Sequence, residues 1–351
     1  MGGMVMANST AAKSVKKVSK KTMAKPAKKV SAASGKTART PARTLAVPDK
    51  WAGNLPAVRP GTYADGIPFH EVQYLACKML LKPNPFTSRK SLFDFADVLR
   101  GPAAQHGVKF STKEYANAAV QIREVLFLDT PDGRLYKNAF ILRRRIRYHD
   151  GFPVGEPEVV FKFRHQDLQK AAEADVRPQI QGDFRVKFKA QALPLKDQLG
   201  GIRLLYSHNV QFPRSHVRTG SADVFSMESI MRVFPVLKSI GFRPGERVEL
   251  VGETMVEEVL QDIGVLDFGD RIAAKVNVSL WRTRGEHRPL IGEFAYQVRF
   301  QERQELRLKA MQRMEEFFLA LQYAAKDWIA LNATKTGAVY RLKGDALSSH
   351  E

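Results

Sequence analysis

Three arginines set two residues apart constrain this chain more than any other feature. Arg143, Arg145 and Arg147 alternate with Leu142, Arg144, Ile146 and Tyr148. In an extended strand, side chains two apart share one face, so the three guanidinium groups line one surface at a spacing of roughly 7 Å. Asp150-Gly151 signals a turn, and Pro153, Gly155 and Pro157 keep the connection irregular. The next apolar run places Glu158, Val160, Lys162 and Arg164 on one face. Read as a hairpin, the two strands set Arg143, Arg145, Arg147, Lys162 and Arg164 side by side. Like charges facing each other on a sheet repel. Such a surface calls for an anion or for an open solvent face. The pattern recurs in Arg185, Lys187 and Lys189, which alternate with Val186 and Phe188. The recurrence favours a polyanion site, and arginine suits bidentate phosphate recognition.

Charge points the same way. The 351 residues carry a net charge of +20, which argues for a polyanionic partner and says nothing of fold. Nine lysines and two arginines lie in residues 1–47, where no acidic residue occurs, leaving +9 for the remainder. That segment is Ala, Ser, Thr, Lys and Pro with few large apolar side chains, so disorder is expected, with non-specific nucleic-acid binding by counterion release. A single cysteine, Cys77, excludes an internal disulfide and fits a reducing, cytoplasmic location. No apolar run approaches the roughly 20 residues of a membrane-spanning helix, and no membrane partner is expected.

Residues 48–68 read as a Pro/Gly-rich linker packing along the domain with Trp51 and Tyr63, residues 69–342 as one domain, and 343–351 as a flexible end. The run at 69–83 suits either a strand or a buried helix. A helix is expected at 88–101, with Gly101 as its stop, and another at 224–240. Residues 113–124 are ambiguous. Strands are expected at 125–128, 184–190, 204–210, 247–259, 271–282 and 291–300, besides the arginine hairpin. Gly264, Asp267, Gly269 and Asp270 punctuate a hairpin, and Asp262 reads as part of its turn. A long amphipathic helix is expected over 302–331, ended by Asn332 and Gly337. The class is α+β, dominated by an antiparallel sheet, and a closed barrel would gather alternate side chains into one interior. Phe161, Phe163, Phe184 and Phe188 then belong to an outward face packed under helices. No glycine-rich phosphate loop and no histidine pair at metal-ligand spacing occurs.

VLFLDTPDGRLYKNAFILRRRIR followed by EVVFKFR resembles the CYTH domains of the triphosphate tunnel metalloenzyme superfamily, to which the vacuolar polyphosphate polymerases also belong. Asp129, Thr130, Pro131 and Asp132 match that family's turn, and Leu135, Tyr136 and Ala139 match the residues after it. Arg145 and Arg147 (or Arg143 and Arg145) match its arginines, and Lys162 its lysine. The resemblance implies an eight-stranded antiparallel tunnel with flanking helices and a long C-terminal helix. Its basic side chains would hold a triphosphate, polyphosphate or nucleotide, with Arg143, Arg145, Arg147, Lys162, Arg164, Arg185, Lys187 and Lys189 as the phosphate-binding set. It implies Mg²⁺ or Mn²⁺ on Glu249, Glu253 and Glu293, and catalysis by Glu71, Glu293 and Lys162 in a hydrolase or phosphoryl-transfer reaction.

The family's first strand carries glutamate–x–glutamate–x–lysine. Here Glu71, Gln73 and Leu75 stand at those positions, with Lys78 on the opposite strand parity. A divalent ion shared with phosphate needs carboxylate ligands. Three functions therefore stay open: a divergent metal-dependent triphosphatase or polyphosphate-processing enzyme, a non-catalytic polyphosphate- or nucleotide-binding module, and a nucleic-acid-associated protein acting through residues 1–47. Two inward carboxylates near the arginines would favour the first.

Overall fold

The structure is a computed structural model describing residues 55–217 and 225–344. The expectations for residues 1–47 and Trp51 lie outside the described residues.

Nine strands close into a barrel. In order around the ring they are β9 (Val256–Asp267), β10 (Ala273–Thr283), β11 (Pro289–Arg299), β1 (Tyr74–Leu81), β6 (Arg185–Pro194), β7 (Ile202–Pro213), β5 (Phe152–His165), β4 (Phe140–His149) and β3 (Gln121–Asp129), which pairs back to β9. The barrel was expected to have eight antiparallel strands. An odd number cannot alternate in direction all the way round a closed ring, so one neighbouring pair must be parallel. That pair is β1 and β6, in register from Tyr74 opposite Lys189 to Cys77 opposite Ala192. Two short strands, β2 (Lys109–Ser111) and β8 (Glu249–Leu250), add to β9 and β3 outside the ring.

Helices cover the outer faces. Helices α1 (Arg89–Gln105) and α5 (Leu308–Ala324) bury Phe95, Leu99, Phe317 and Phe318 with Leu75, Cys77, Met79 and Phe294 of the barrel wall. Ser88 caps α1, accepting a hydrogen bond from the Ser91 N–H. This helix runs through the expected stop at Gly101 and carries Pro102 in its last turn. Elsewhere on the wall, α4 (Met227–Val233) and a 3₁₀ turn over Pro235–Ile240 pack on Phe161 and Phe212; the proline divides what periodicity reads as one helix. Phe161 and Phe188 are buried outside the barrel, whereas Phe184 is exposed.

The barrel has one closed end. The helix expected over 302–331 stops at Ala324, and the chain turns back along β1: the Lys82 N–H donates to the Trp328 carbonyl at 2.7 Å and the Ala330 N–H to the Leu80 carbonyl at 2.8 Å. A short helix, α6 (Lys335–Tyr340), then packs Ala338, Val339 and Tyr340 against Leu80, Leu193, Val125 and Trp281. The turn at Asp129 fastens it there. The buried Asp129 carboxylate accepts from the N–H groups of Thr130, Leu135 and Tyr136 at 2.7, 2.8 and 2.9 Å, and from the Tyr340 hydroxyl at 2.6 Å. Leu135 and Tyr136 belong to the one-turn helix α2 (Arg134–Lys137). No helix among the described residues is long and apolar enough to cross a membrane.

Candidate functional site: a basic cup inside the barrel

The barrel encloses a cavity of about 460 Å³. Strand alternation decides what faces it. β4 contributes Arg143, Arg145 and Arg147, β5 contributes Lys162 and Arg164, and β6 contributes Lys187 and Lys189. Both basic hairpin strands and the third alternating strand therefore meet in one interior. Arg185, the last of the predicted phosphate ligands, is exposed and lies outside the lining. Its charge still acts on Lys187.

Four more cations complete the lining: Lys78, Arg123, Lys275 and Lys335. In all, eleven lysines and arginines face three carboxylates, Glu258, Asp262 and Glu293. Sequence reasoning missed most of these additions. On β1 the inward set is Ala76, Lys78 and Leu80, while Leu75, Cys77 and Met79 face the outer core. Glu71 and Gln73 precede the strand and are exposed, so Glu71 is not at the cavity. The expected register was one residue out. With Lys78 inward as the strand's lysine, Tyr74 and Ala76 stand where two carboxylates were sought. Glu249 and Glu253 are also exposed, in β8 and the 3₁₀ turn after it, away from the cavity lining. Of the expected carboxylates only Glu293 enters the cup.

Depth separates the groups. Lys162, 7 % exposed, makes no hydrogen bond or ion pair among the described residues. Burial and the charges of Arg164, Arg143, Lys78 and Lys335 push its ammonium well below the ordinary lysine range. Arg143 lies 5.7 Å from the Phe127 ring centre, its Nε without a hydrogen-bond partner, and burial with Arg145 beside it brings its pKa to about 10. The same two causes, burial first and neighbouring cations next, lower Lys187 to about 8 and Lys189 to about 7. Burial lowers Lys78 to about 8 although Glu293 opposes the shift. An uncompensated buried cation is costly. These side chains converge on a volume that a polyanion would neutralise.

The carboxylates, by contrast, are already engaged. Glu293 sits 2.7 Å from the Lys335 ammonium and 4.0 Å from that of Lys78. Burial alone would raise its pKa, but Lys335 and Lys78 outweigh burial and hold the group at about 2. Glu258 accepts from Arg123 Nη1 and from the Trp281 indole, both at 3.2 Å, and lies 3.6 Å from Lys335. It too is held below the usual carboxylate range: burial opposes this, and Lys335 and Arg123 prevail. Asp262, a strand residue of β9 rather than of a turn, pairs with Lys275 at 2.9 Å. No group of three or more acidic, histidine or cysteine side chains suited to a metal ion occurs among the described residues. The donor set does not fit the Mg²⁺ or Mn²⁺ that the family resemblance implies.

A second cavity of about 580 Å³ lies outside the barrel between β4, β5 and α4, walled mainly by Leu128, Val159, Phe212, Ile230 and Phe234. Arg143, Arg144, Arg214 and Arg232 also reach its lining, but the charge is denser in the cup, where eleven lysines and arginines converge.

No family model matches the chain, and no curated protein does. Solved structures do. One is a Hippeastrum protein described as a candidate adenylyl cyclase with a dominant triphosphatase activity: 14 % identity, 79 % of this chain and 98 % of that one, TM-score 0.37. Another is a candidate adenylate cyclase of Bacillus halodurans, with 10 % identity, 75 % and 95 % coverage and a TM-score of 0.32. A Pyrococcus horikoshii protein gives 12 %, 75 % and 96 %, with a TM-score of 0.29. Likenesses this distant carry no argument about chemistry, which rests on the cup itself.

Proposed function

We propose that the barrel is a binding cup for a short phosphate chain, either inorganic tripolyphosphate or the triphosphate of a nucleotide. The observation that carries this reading is the imbalance inside the cup, eleven lysines and arginines against three carboxylates, with Lys162 buried and unpaired toward its closed end. Charge-assisted hydrogen bonds from lysine and arginine to phosphate oxygens are the strongest polar contacts such a lining can make. A linear chain of phosphates also suits the layout. Lys187 feels the charges of Arg145 and Arg147 on one side of the cup, whereas Lys162 feels those of Arg164, Arg143, Lys78 and Lys335, the last of them on the closing helix α6.

Glu258 and Glu293 meet the criterion of two inward carboxylates set for an enzyme, but both are engaged by cations, and binding without turnover is the favoured activity. Hydrolysis of a phosphoanhydride needs a base for water, and Glu258 and Glu293 are held ionised and occupied by cations, which makes them weak bases. The test is calorimetric titration of the chain with tripolyphosphate at raised salt, where non-specific binding through residues 1–47 is screened. Arg145→Ala combined with Lys162→Ala should abolish the interaction. Unchanged affinity would sink the reading, and phosphate release by the wild-type protein would restore the enzymatic one.

A further inference from the structure

Resting on the reading of the barrel as a polyanion cup, we infer that the Lys335 ammonium stands where a divalent cation would bridge Glu258 and Glu293, making the cup metal-independent. The geometry is that of a bridging cation. The Lys335 Nζ lies 2.7 Å from Glu293 Oε1 and 3.6 Å from Glu258 Oε1, and 4.6 Å from the Trp281 ring centre. The remaining oxygens are covered as well: Arg123 Nη1 is 3.2 Å from Glu258 Oε2, and Lys78 Nζ is 4.0 Å from Glu293 Oε2. Two negative charges thus meet three positive ones. A divalent ion entering here would displace an ammonium and add to a local excess of positive charge, which the surrounding arginines and lysines oppose.

The fold holds this ammonium in place. Lys335 opens α6, whose position is fixed by the Thr334 cap on the Gly337 N–H at 2.9 Å and by the Tyr340 hydroxyl on Asp129 at 2.6 Å. The same helix that closes the barrel therefore delivers the counter-charge, and its two carboxylate partners come from β9 and β11 on the facing wall. What a metal would do for a bound phosphate chain, balance its charge deep in the cup, falls to fixed side chains. Glu258 and Glu293 serve to position Lys335.

Manganese binding in the absence of any phosphate ligand tests this directly, read from the free-ion signal in electron paramagnetic resonance with the full chain at raised salt. Wild-type protein should show no Mn²⁺ site that depends on Glu293. Lys335→Met and Lys335→Gln should each gain one, and Glu293→Gln added to either should remove it. Two findings would overturn the inference: a Mn²⁺ site in the wild type lost in Glu293→Gln, or no gain in either Lys335 variant when both are folded by circular dichroism. A calorimetric arm adds that tripolyphosphate binds the wild type at least as tightly in EDTA as with Mg²⁺; a requirement for Mg²⁺ would also overturn it. Because the Mn²⁺ experiment contains no phosphate, a cup that ignores tripolyphosphate would defeat the proposed function and leave the Mn²⁺ result to decide this inference.

Discussion

The two ends of the cup carry the same kind of charge in opposite physical conditions. Near the mouth, Lys275 is 52 % exposed and pairs with Asp262, and Arg147 is exposed. At the closed end, Lys162 and Glu293 are 7 % and 6 % exposed. Water screens the mouth, so its charges attract a ligand from a distance and each contributes little once it is bound. The closed end is desolvated. There each charge is either held by a partner, as Glu293 is by Lys335, or left in deficit, as Lys162 is. The lesson is that a count of basic residues does not locate a phosphate site; the unpaired buried ones do.

Glu293→Gln presses that contrast hardest. It removes a partner from Lys335 and Lys78 at the desolvated end, and should cost about 3 kcal/mol of stability, read as a lower denaturant midpoint. Tripolyphosphate affinity should hold, the departure of a negative charge from the cup offsetting the looser hold on Lys335. Lys162→Met should do the reverse. Affinity should fall roughly 30-fold, about 2 kcal/mol, while the unliganded protein becomes no less stable, since an unpaired buried charge has gone.

The pH dependence separates the ends again. Lys189, Lys187 and Lys78 titrate at about 7, 8 and 8 when folded, below the unfolded lysine value. The unfolded chain therefore binds more protons above pH 7, and stability of the unliganded protein should rise with pH from about 7 toward about 10. Affinity should fall over the same interval as the lysines lose charge. On the acid side, the contribution of Glu293 is fully present above its unfolded pKa and should be lost only as pH drops toward about 2. The smallest effect belongs to the mouth: Lys275→Ala should weaken binding by less than about 1 kcal/mol, and the loss should vanish as salt is raised.

How much of this was legible in the sequence follows from solvent exposure along each strand. β6 alternates basic residues with apolar ones, and β4 does so apart from the outward Arg144, so their inward sets could be read directly. β1 is buried on both faces, Leu75, Cys77 and Met79 outward and Ala76 and Leu80 inward, and offers no such alternation. Its parity was therefore misassigned by one residue, and Lys78 with it. Gly264 signalled a turn and hid Asp262 in mid-strand. In the structure a side chain at Gly264 would meet the Phe110 ring and the Ser111 carbonyl at 2.6 Å, so the glycine admits β2 against β9. Lys335 had no signal at all. Its role depends on the chain reversing after α5 and on Asp129 anchoring Tyr340, a contact across 211 positions of sequence.

Proton uptake on binding tests the central claim most directly. Calorimetric titration of the full chain with tripolyphosphate at pH 8, in two buffers of different ionisation enthalpy, measures it without labels. If the buried lysines receive the phosphate chain, the ligand restores the lowered pKa values of Lys189, Lys187 and Lys78, so binding takes up protons and Lys189→Met takes up fewer. Binding with no net uptake, or uptake unchanged in Lys189→Met, would show that the phosphate chain rests elsewhere and contradict the account.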